Sequence, residues 1–325
     1  MTRWFARIAL AAVLALLWPA SPAAAYEPPG ADAWRTAVPA LDPATASPDE
    51  VAAYFASLSP EDAGRLAAEF PGVVGNLDGA PIALRYRANG GEGLLALDER
   101  QDGRIVRVVG DLATAERIAV IVPGMSNTLA NFYDGQGGVL RRSPLWQAEQ
   151  LKAAANDPGL AVVAWLGYDS PENGLGIMST VRSGRAETGG EALARFTKGL
   201  HAVRPEATIS VLGHSYGTIV IAYAAPDFGP EVTDLIVVGS PGMDVGSAAE
   251  LDTTARLWAG RAGDDPIANI PDVRILGFGH GVDPTDAGFG ALPLDTSGIH
   301  GHDHYFEGAS LRGMAAIAAG HGSAA

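Results

Sequence analysis

Apolar positions recur along this chain in two rhythms. Val51, Tyr54, Phe55 and Leu58 fall at i, i+3, i+4 and i+7, the spacing of one helical face. Ser59-Pro60-Glu61-Asp62 then opens a second helix through a capping serine, a first-turn proline and two first-turn acids. Beyond residue 90 the rhythm changes to short, uninterrupted apolar runs separated by helical stretches. The runs at 94–97 and 105–109, joined across Asp102-Gly103, predict a hairpin. Runs at 118–122, 160–166, 208–212, 235–238, 256–259 and 273–278 predict further strands, with helices near 144–155, 186–203, 217–225 and 306–319. Strands that do not alternate polar with apolar are buried on both faces. The expected class is therefore α/β, a mostly parallel, doubly wound sheet with helices on both faces and a short N-terminal helical extension. Chemistry in such sheets sits at the carboxyl ends of the strands.

The first 25 residues have a different purpose. Arg3 and Arg7 precede an uncharged apolar run over 8–18, and Ala23-Ala24-Ala25 offers a small-residue cleavage site, so 1–25 is expected to be a secretory signal peptide. About 20 apolar residues are needed to span a bilayer, and Pro19 and Pro22 interrupt this stretch. The expectation is a protein secreted after cleavage near Ala25, extracellular or in the cell envelope, with no integral membrane anchor. Residues 26–48 carry Pro28, Pro29, Pro39, Pro43 and Pro48 without a sustained apolar period and read as a Pro-rich leader or linker. The remainder, 49–325, is expected to form the main domain, capped by helices over 49–90.

Composition narrows the chemistry. The 325 residues carry 37 acidic and 22 basic side chains, a formal charge of −15, which disfavours a nucleic-acid partner. The absence of cysteine excludes a thiol nucleophile, a thiolate zinc site, an iron–sulfur cluster and a disulfide framework together. Any nucleophile must be oxygen or nitrogen.

One motif fits that requirement. Gly213-His214-Ser215-Tyr216-Gly217 is a G-x-S-x-G run between the strand expected at 208–212 and the helix expected from 217. In that setting the turn is tight enough to strain the serine backbone and lift its hydroxyl above the sheet, at a helix N-terminus that favours negative charge. A serine nucleophile needs a base and the base needs an orienting acid, here expected in the order Ser, acid, His. Downstream, Gly263-Asp264-Asp265-Pro266-Ile267 follows a strand, and Ile299-His300-Gly301-His302-Asp303-His304-Tyr305 follows later. Asp265 is the preferred acid, with Asp264 and Asp244 as alternatives; His302 is the preferred base, with His300 and His304 as alternatives and His280 a weaker candidate. His201 and His321 read as surface residues and His214 as the variable position of the motif. Two backbone N–H groups are needed for a developing oxyanion. Tyr216 supplies one, and Met125, in Pro123-Gly124-Met125-Ser126-Asn127 after the strand at 118–122, is chosen for the other.

With these residues in place, the chain resembles a family of actinobacterial exported α/β-hydrolase-fold proteins known mainly as a domain of unknown function. The resemblance covers about 57–310 and is carried by SLSPEDAGRLAAEFPGVVGNLDGAPIALRYRAN (57–89), VPGMSN (122–127), WLGYDSP (165–171), LGHSYGT (212–218), VGSPGMDV (238–245), GDDPI (263–267), GVDPTDAGFGA (281–291) and GHDHYF (301–306). It implies the α/β-hydrolase fold and carries Ser215, Asp265 and His302 as triad; it implies no substrate. The resulting expectation is a secreted serine hydrolase, esterase- or lipase-like, acting on a small-molecule or lipid carboxylic ester without cofactor or metal. Two other readings stand beside it, a serine acyltransferase using the same triad and a non-catalytic envelope binding protein. A metallohydrolase is weighed on His300, His302, Asp303 and His304, whose spacing is one residue short of H-x-H-x-D-H. The glycine-bearing stretch 170–190 reads as an ordinary long loop or, alternatively, as a mobile rim over the site.

Overall fold

The apolar runs assemble as strands in a computed structural model that describes residues 26–172, 184–269 and 281–322. Among the described residues they form one eight-stranded sheet: β1 (Leu94–Asp98), β2 (Arg104–Val109), β3 (Arg117–Val122), β4 (Leu160–Leu166), β5 (Thr208–His214), β6 (Val232–Val238), β7 (Arg256–Gly260) and β8 (Leu292–Pro293). Their spatial order is β1-β2-β4-β3-β5-β6-β7-β8. The expected hairpin forms as β1 and β2 and joins β4 antiparallel; every pairing from β4 to β8 is parallel. All seven residues of β4 are buried, as a strand covered on both faces requires.

The covering helices are α6 (Pro144–Ala155), which packs on β4 and on α9 (Gly308–Ala318), and α7 (Gly184–Val203), which packs on α8 (Gly217–Ala224). α6 starts where the pattern predicts. The Ser143 hydroxyl accepts the Trp146 N–H at 3.1 Å, Pro144 fills the first turn, and Asn156 ends the helix in the left-handed region at φ 47°.

The N-terminal layer departs from expectation. Among the described residues five helices precede the sheet: α1 (Ala31–Ala37), α2 (Pro48–Ser57), α3 (Pro60–Glu69), α4 (Pro71–Val74) and α5 (Ile82–Ala88). Residues 26–48 are therefore not a linker. Trp34 is fully buried and shares a second hydrophobic core with Val38, Leu41, Val51, Phe55 and Val73, while its indole N–H donates to the Leu41 carbonyl at 2.7 Å. The physical reason lies in spacing: positions 31, 34, 38 and 41 repeat at helical intervals, and Pro28 and Pro29 stand before the helix where they cost nothing. This layer is fastened to the main core through the Arg195 guanidinium of α7, which donates to the Ala46 carbonyl at 2.7 Å.

The strand expected at 273–278, the segment 1–25 and His280 lie outside the described residues, as do 173–183 of the expected loop or rim; from Gly184 that stretch is helix α7. The short β8 was not foreseen. Among the described residues no helix is long and apolar enough to cross a membrane.

Because Trp34 is core and not linker, Trp34→Ala should cost about 3–5 kcal/mol of unfolding free energy in chemical denaturation. A change within about 0.5 kcal/mol, as for an exposed residue, would return 26–48 to the status of linker.

Candidate functional site

Four parallel strands end at one level. The register pairs Val122 with Gly213, His214 with Val238, and Val238 with Gly260, so the loops after β3, β5, β6 and β7 leave the sheet side by side. Ser215 follows β5 immediately and holds φ 55°, a left-handed conformation that a serine adopts only under constraint. The constraint is visible on both sides of it. The Ser215 N–H donates to the Val238 carbonyl at 3.0 Å, and the Ser215 carbonyl accepts from the N–H and the hydroxyl of Thr218 in the first turn of α8, at 3.0 and 2.8 Å. Gly124, after β3, lies so close that a methyl group there would stand 2.8 Å from the Ser215 Cβ.

The loop after β7 turns Asp265 inward and Asp264 outward. The Asp265 side chain is fully buried, and His302 Nδ1 lies 2.9 Å from both of its oxygens. Tyr305 donates its hydroxyl to Asp265 Oδ2 at 2.5 Å, and the Ile267 N–H donates to Oδ1 at 2.9 Å. Burial pushes the Asp265 carboxyl up, but these hydrogen bonds together outweigh it and hold the group below the usual carboxylate range. The Tyr305 hydroxyl is itself fixed by the Ala262 N–H, which donates to it at 3.0 Å, so its proton is directed to the carboxylate.

The alternatives separate by partner. Asp264 is exposed and takes His300 Nδ1 at 3.0 Å and the Gly301 N–H at 2.8 Å. His304 Nδ1 pairs with Glu307 at 3.0 Å. Asp244, beyond β6, accepts the Tyr223 hydroxyl at 3.0 Å. The three histidines of the 299–305 segment thus go to three different carboxylates, and among the described residues no group of His, Asp and Glu is gathered to hold a metal ion.

His214 is not the idle position that its place in the motif suggests. Its Nε2–H donates to the His302 carbonyl at 2.8 Å, and the two rings lie 4.7 Å apart, centroid to centroid. Burial, reinforced by the neighbouring His302, pushes His214 down to about 4, so it is neutral at ordinary pH. Gly239, at φ 56°, is the second unforeseen part. A Cβ there would meet Tyr305 at 2.9 Å, His302 at 3.1 Å and Asp265 at 3.2 Å, so the end of β6 closes over Asp265 and His302 only as glycine.

The loop after β3 is fastened from behind. The Gly124 carbonyl accepts from Asn127 Nδ2 at 3.0 Å and from the Tyr168 hydroxyl at 3.3 Å. The Met125 carbonyl accepts from Gln136 Nε2 at 2.7 Å. In a trans peptide the N–H points opposite to the preceding C=O, so the Met125 N–H is aimed away from the anchors of Gly124. Ser215, His302, Gly124 and Met125 line one cleft of about 180 Å³, together with Asn127, Gln136, Arg141, Arg142, Gln147, His214 and Asp303. Ser215 and His302 share it without a hydrogen bond between them among the described residues, a looseness usual before substrate binds.

A family model described as alpha/beta hydrolase matches residues 98–275. The chain belongs to the alpha/beta hydrolase family. Its relatives include the uncharacterized protein Rv2079 of Mycobacterium tuberculosis, 30% identical over 87% of this chain and 57% of that protein, so this chain spans little more than half of that relative's length. The uncharacterized protein Rv0963c of the same species is 30% identical over 65% of this chain and 77% of that one. Among solved structures, an α/β serine hydrolase without lid from Xanthomonas campestris is 17% identical with a TM-score of 0.41, covering 69% of this chain and 92% of that one. A Trichoderma reesei cutinase bound to a phosphonate inhibitor is 14% identical with a TM-score of 0.39, covering 84% and 97%. Likenesses at that level say nothing of substrate.

In this α/β-hydrolase the parts that sequence reasoning missed are Tyr305, Gly239 and His214. Tyr305 ends the same GHDHY run that carries His302, three residues on, and that proximity was its one available signal. The depressed His214 carries a testable sign. The unfolded chain binds a proton at His214 below about 6.5 whereas the folded one resists until about 4, so this residue lowers stability as pH falls through that window. His214→Gln, which cannot titrate, should flatten that part of the stability profile in urea denaturation between pH 4 and 6.5; an unchanged slope would mean that His214 is not buried neutral.

Proposed function

We propose that this α/β-hydrolase is a serine hydrolase cleaving a carboxylic ester, with Ser215 as nucleophile, His302 as base and then acid, and Asp265 as the carboxylate that orients the imidazole. The observation that carries this is the buried Asp265–His302 pair opening into the cleft that the strained Ser215 also lines. Asp265 accepts the Nδ1–H, which leaves the lone pair on Nε2, the tautomer a base requires.

In the first half-reaction Ser215 Oγ attacks the ester carbonyl carbon as its proton passes to His302 Nε2. The carbonyl π electrons move to oxygen, and the oxyanion is stabilised by the backbone N–H groups of Met125 and Tyr216. Collapse re-forms the C=O and breaks the bond to the alkoxy group, which takes the proton from Nε2 and leaves as alcohol. A water then attacks the acyl-enzyme carbonyl and gives its proton to His302. The second oxyanion expels Ser215 Oγ, which is reprotonated, and the acid is released. The imidazolium that forms in each half-reaction is the charge that the buried Asp265 stabilises.

Export is part of the same reading and rests on the basic start, apolar run and Ala23-Ala24-Ala25 of the first 25 residues. N-terminal sequencing of protein recovered from the medium should begin at Tyr26; a start at Met1 or Thr2 would refute processing.

The enzyme reading is tested by covalent labelling with a fluorophosphonate. The wild type should be labelled and Ser215→Ala should not, with ester turnover in that variant reduced by several orders of magnitude. A wild type that resists the probe while folded, or a Ser215→Ala variant that labels equally, would defeat the proposal.

A further inference from the structure

The cleft at Ser215 carries a cation that the chemistry above does not use. Arg141 and Arg142 stand on the short turn Leu140–Arg142 before α6, and that turn is held by Gln147, whose Nε2 donates to the Arg141 carbonyl at 3.0 Å. Both arginines line the cleft. Arg142 is engaged, with Nε at 2.7 Å and Nη2 at 2.6 Å from Asp303 Oδ2. Arg141 is held more loosely: among the described residues its guanidinium makes no hydrogen bond and is ion-paired with Glu307 Oε1 at 3.6 Å, while the other oxygen of Glu307 pairs with His304. A fixed turn thus places a cation with no hydrogen-bond partner among the described residues in the wall of the cleft that Ser215 lines, in a chain of formal charge −15.

Polar and charged side chains make up most of the rest of the cleft's described lining. Pro123 and Met125 are the apolar side chains in its described lining, and the exposed Tyr133 and Leu140 nearby are not part of that lining.

Resting on the serine-hydrolase reading, we propose that the ester this site takes carries an anionic group, a carboxylate or phosphate, a few bonds from the scissile carbonyl, held by Arg141. The guanidinium fork suits either anion, and a charge-assisted hydrogen bond at a partly desolvated site is the strong kind. Arg141 contributes to binding of the group and takes no part in bond making.

The test compares esters differing only in charge, by pH-stat titration of released acid. Monomethyl glutarate against methyl valerate places the anion on the acyl side; 4-acetoxybutanoate against butyl acetate places it on the alcohol side. On at least one side kcat/KM for the anionic ester should exceed that of the neutral one by about 10-fold or more, the scale of one charged hydrogen bond. Arg141→Met should erase that ratio and Arg141→Lys should restore part of it. As a second readout, glutarate should inhibit wild type competitively and lose that inhibition with Arg141→Met. With Ser215 labelled by fluorophosphonate, equal or better turnover of the neutral esters, absence of turnover for all four, or a ratio that survives Arg141→Met would overturn the assignment and leave the nucleophile standing. Failure of both labelling and turnover would instead remove the reading beneath it.

Discussion

A carboxylate withdrawn from water at the end of a parallel strand sets most of what surrounds it. An isolated buried charge costs several kcal/mol, so Asp265 can stay ionised only if its lone pairs are taken up by donors fixed in place. Three donors do this from three directions: His302 Nδ1, the Tyr305 hydroxyl and the Ile267 N–H. Two of them come from one short segment, and His302 and Tyr305 are three residues apart, so pinning both fixes the path of the chain between them. Asp303 is thereby turned to Arg142, and the Tyr305 carbonyl is left to accept the Ser310 hydroxyl at 2.6 Å in the first turn of α9. The same carboxylate therefore orients the imidazole, shapes one wall of the cleft and seats the last described helix.

Ser215, the proposed nucleophile, arrives by a different constraint, that of parallel register. β5 lies between β3 and β6, and with the strands in step their carboxyl ends emerge together. A sharp turn after β5 then sends Ser215 up between the loops of its two neighbours. The loop from β3 must come within contact of Ser215 Cβ, which only Gly124 permits; the end of β6 must close over Asp265 and His302, which only Gly239 permits. The strain at Ser215 is held by hydrogen bonds on both sides, to Val238 on β6 and from Thr218 on α8. Rigid elements thus carry an unfavourable backbone conformation that an isolated loop would relax.

Much of this was legible because it is periodic or local. Unalternating strands announced a sheet covered on both faces, and the G-x-S-x-G run between a strand and a helix marked the turn where Ser215 sits. The same reasoning could narrow the partners only to clusters. His300, His302 and His304 are spaced alike, and in an irregular segment spacing does not decide which ring faces inward; that depends on Asp265 being buried while Asp264 is exposed, a long-range fact. His214 was hidden for a related reason, since its partner is a backbone carbonyl 88 positions away. The N-terminal layer was misread for the opposite reason. Prolines at 39 and 43 obscured a helical period at 31, 34, 38 and 41, and tertiary burial of Trp34 overrode the composition of the segment.

His214 also bears on the charge balance of the site. The proposed reaction creates an imidazolium at His302, 4.7 Å from a second imidazole. Two positive rings at that distance would oppose each other strongly in a partly desolvated cleft. Burial keeps His214 neutral down to about 4, and donation of its Nε2–H to the His302 carbonyl fixes the tautomer and orientation of that neutral ring. The charge formed at His302 therefore meets a carboxylate on one side and an uncharged ring on the other. A phenylalanine in place of His214 would preserve neutrality but lose the donor, and an arginine would keep a donor but add the opposing charge. Histidine combines a short planar donor with neutrality because the protein removes it from water, and this is the physical reason the second letter of the motif matters in this chain.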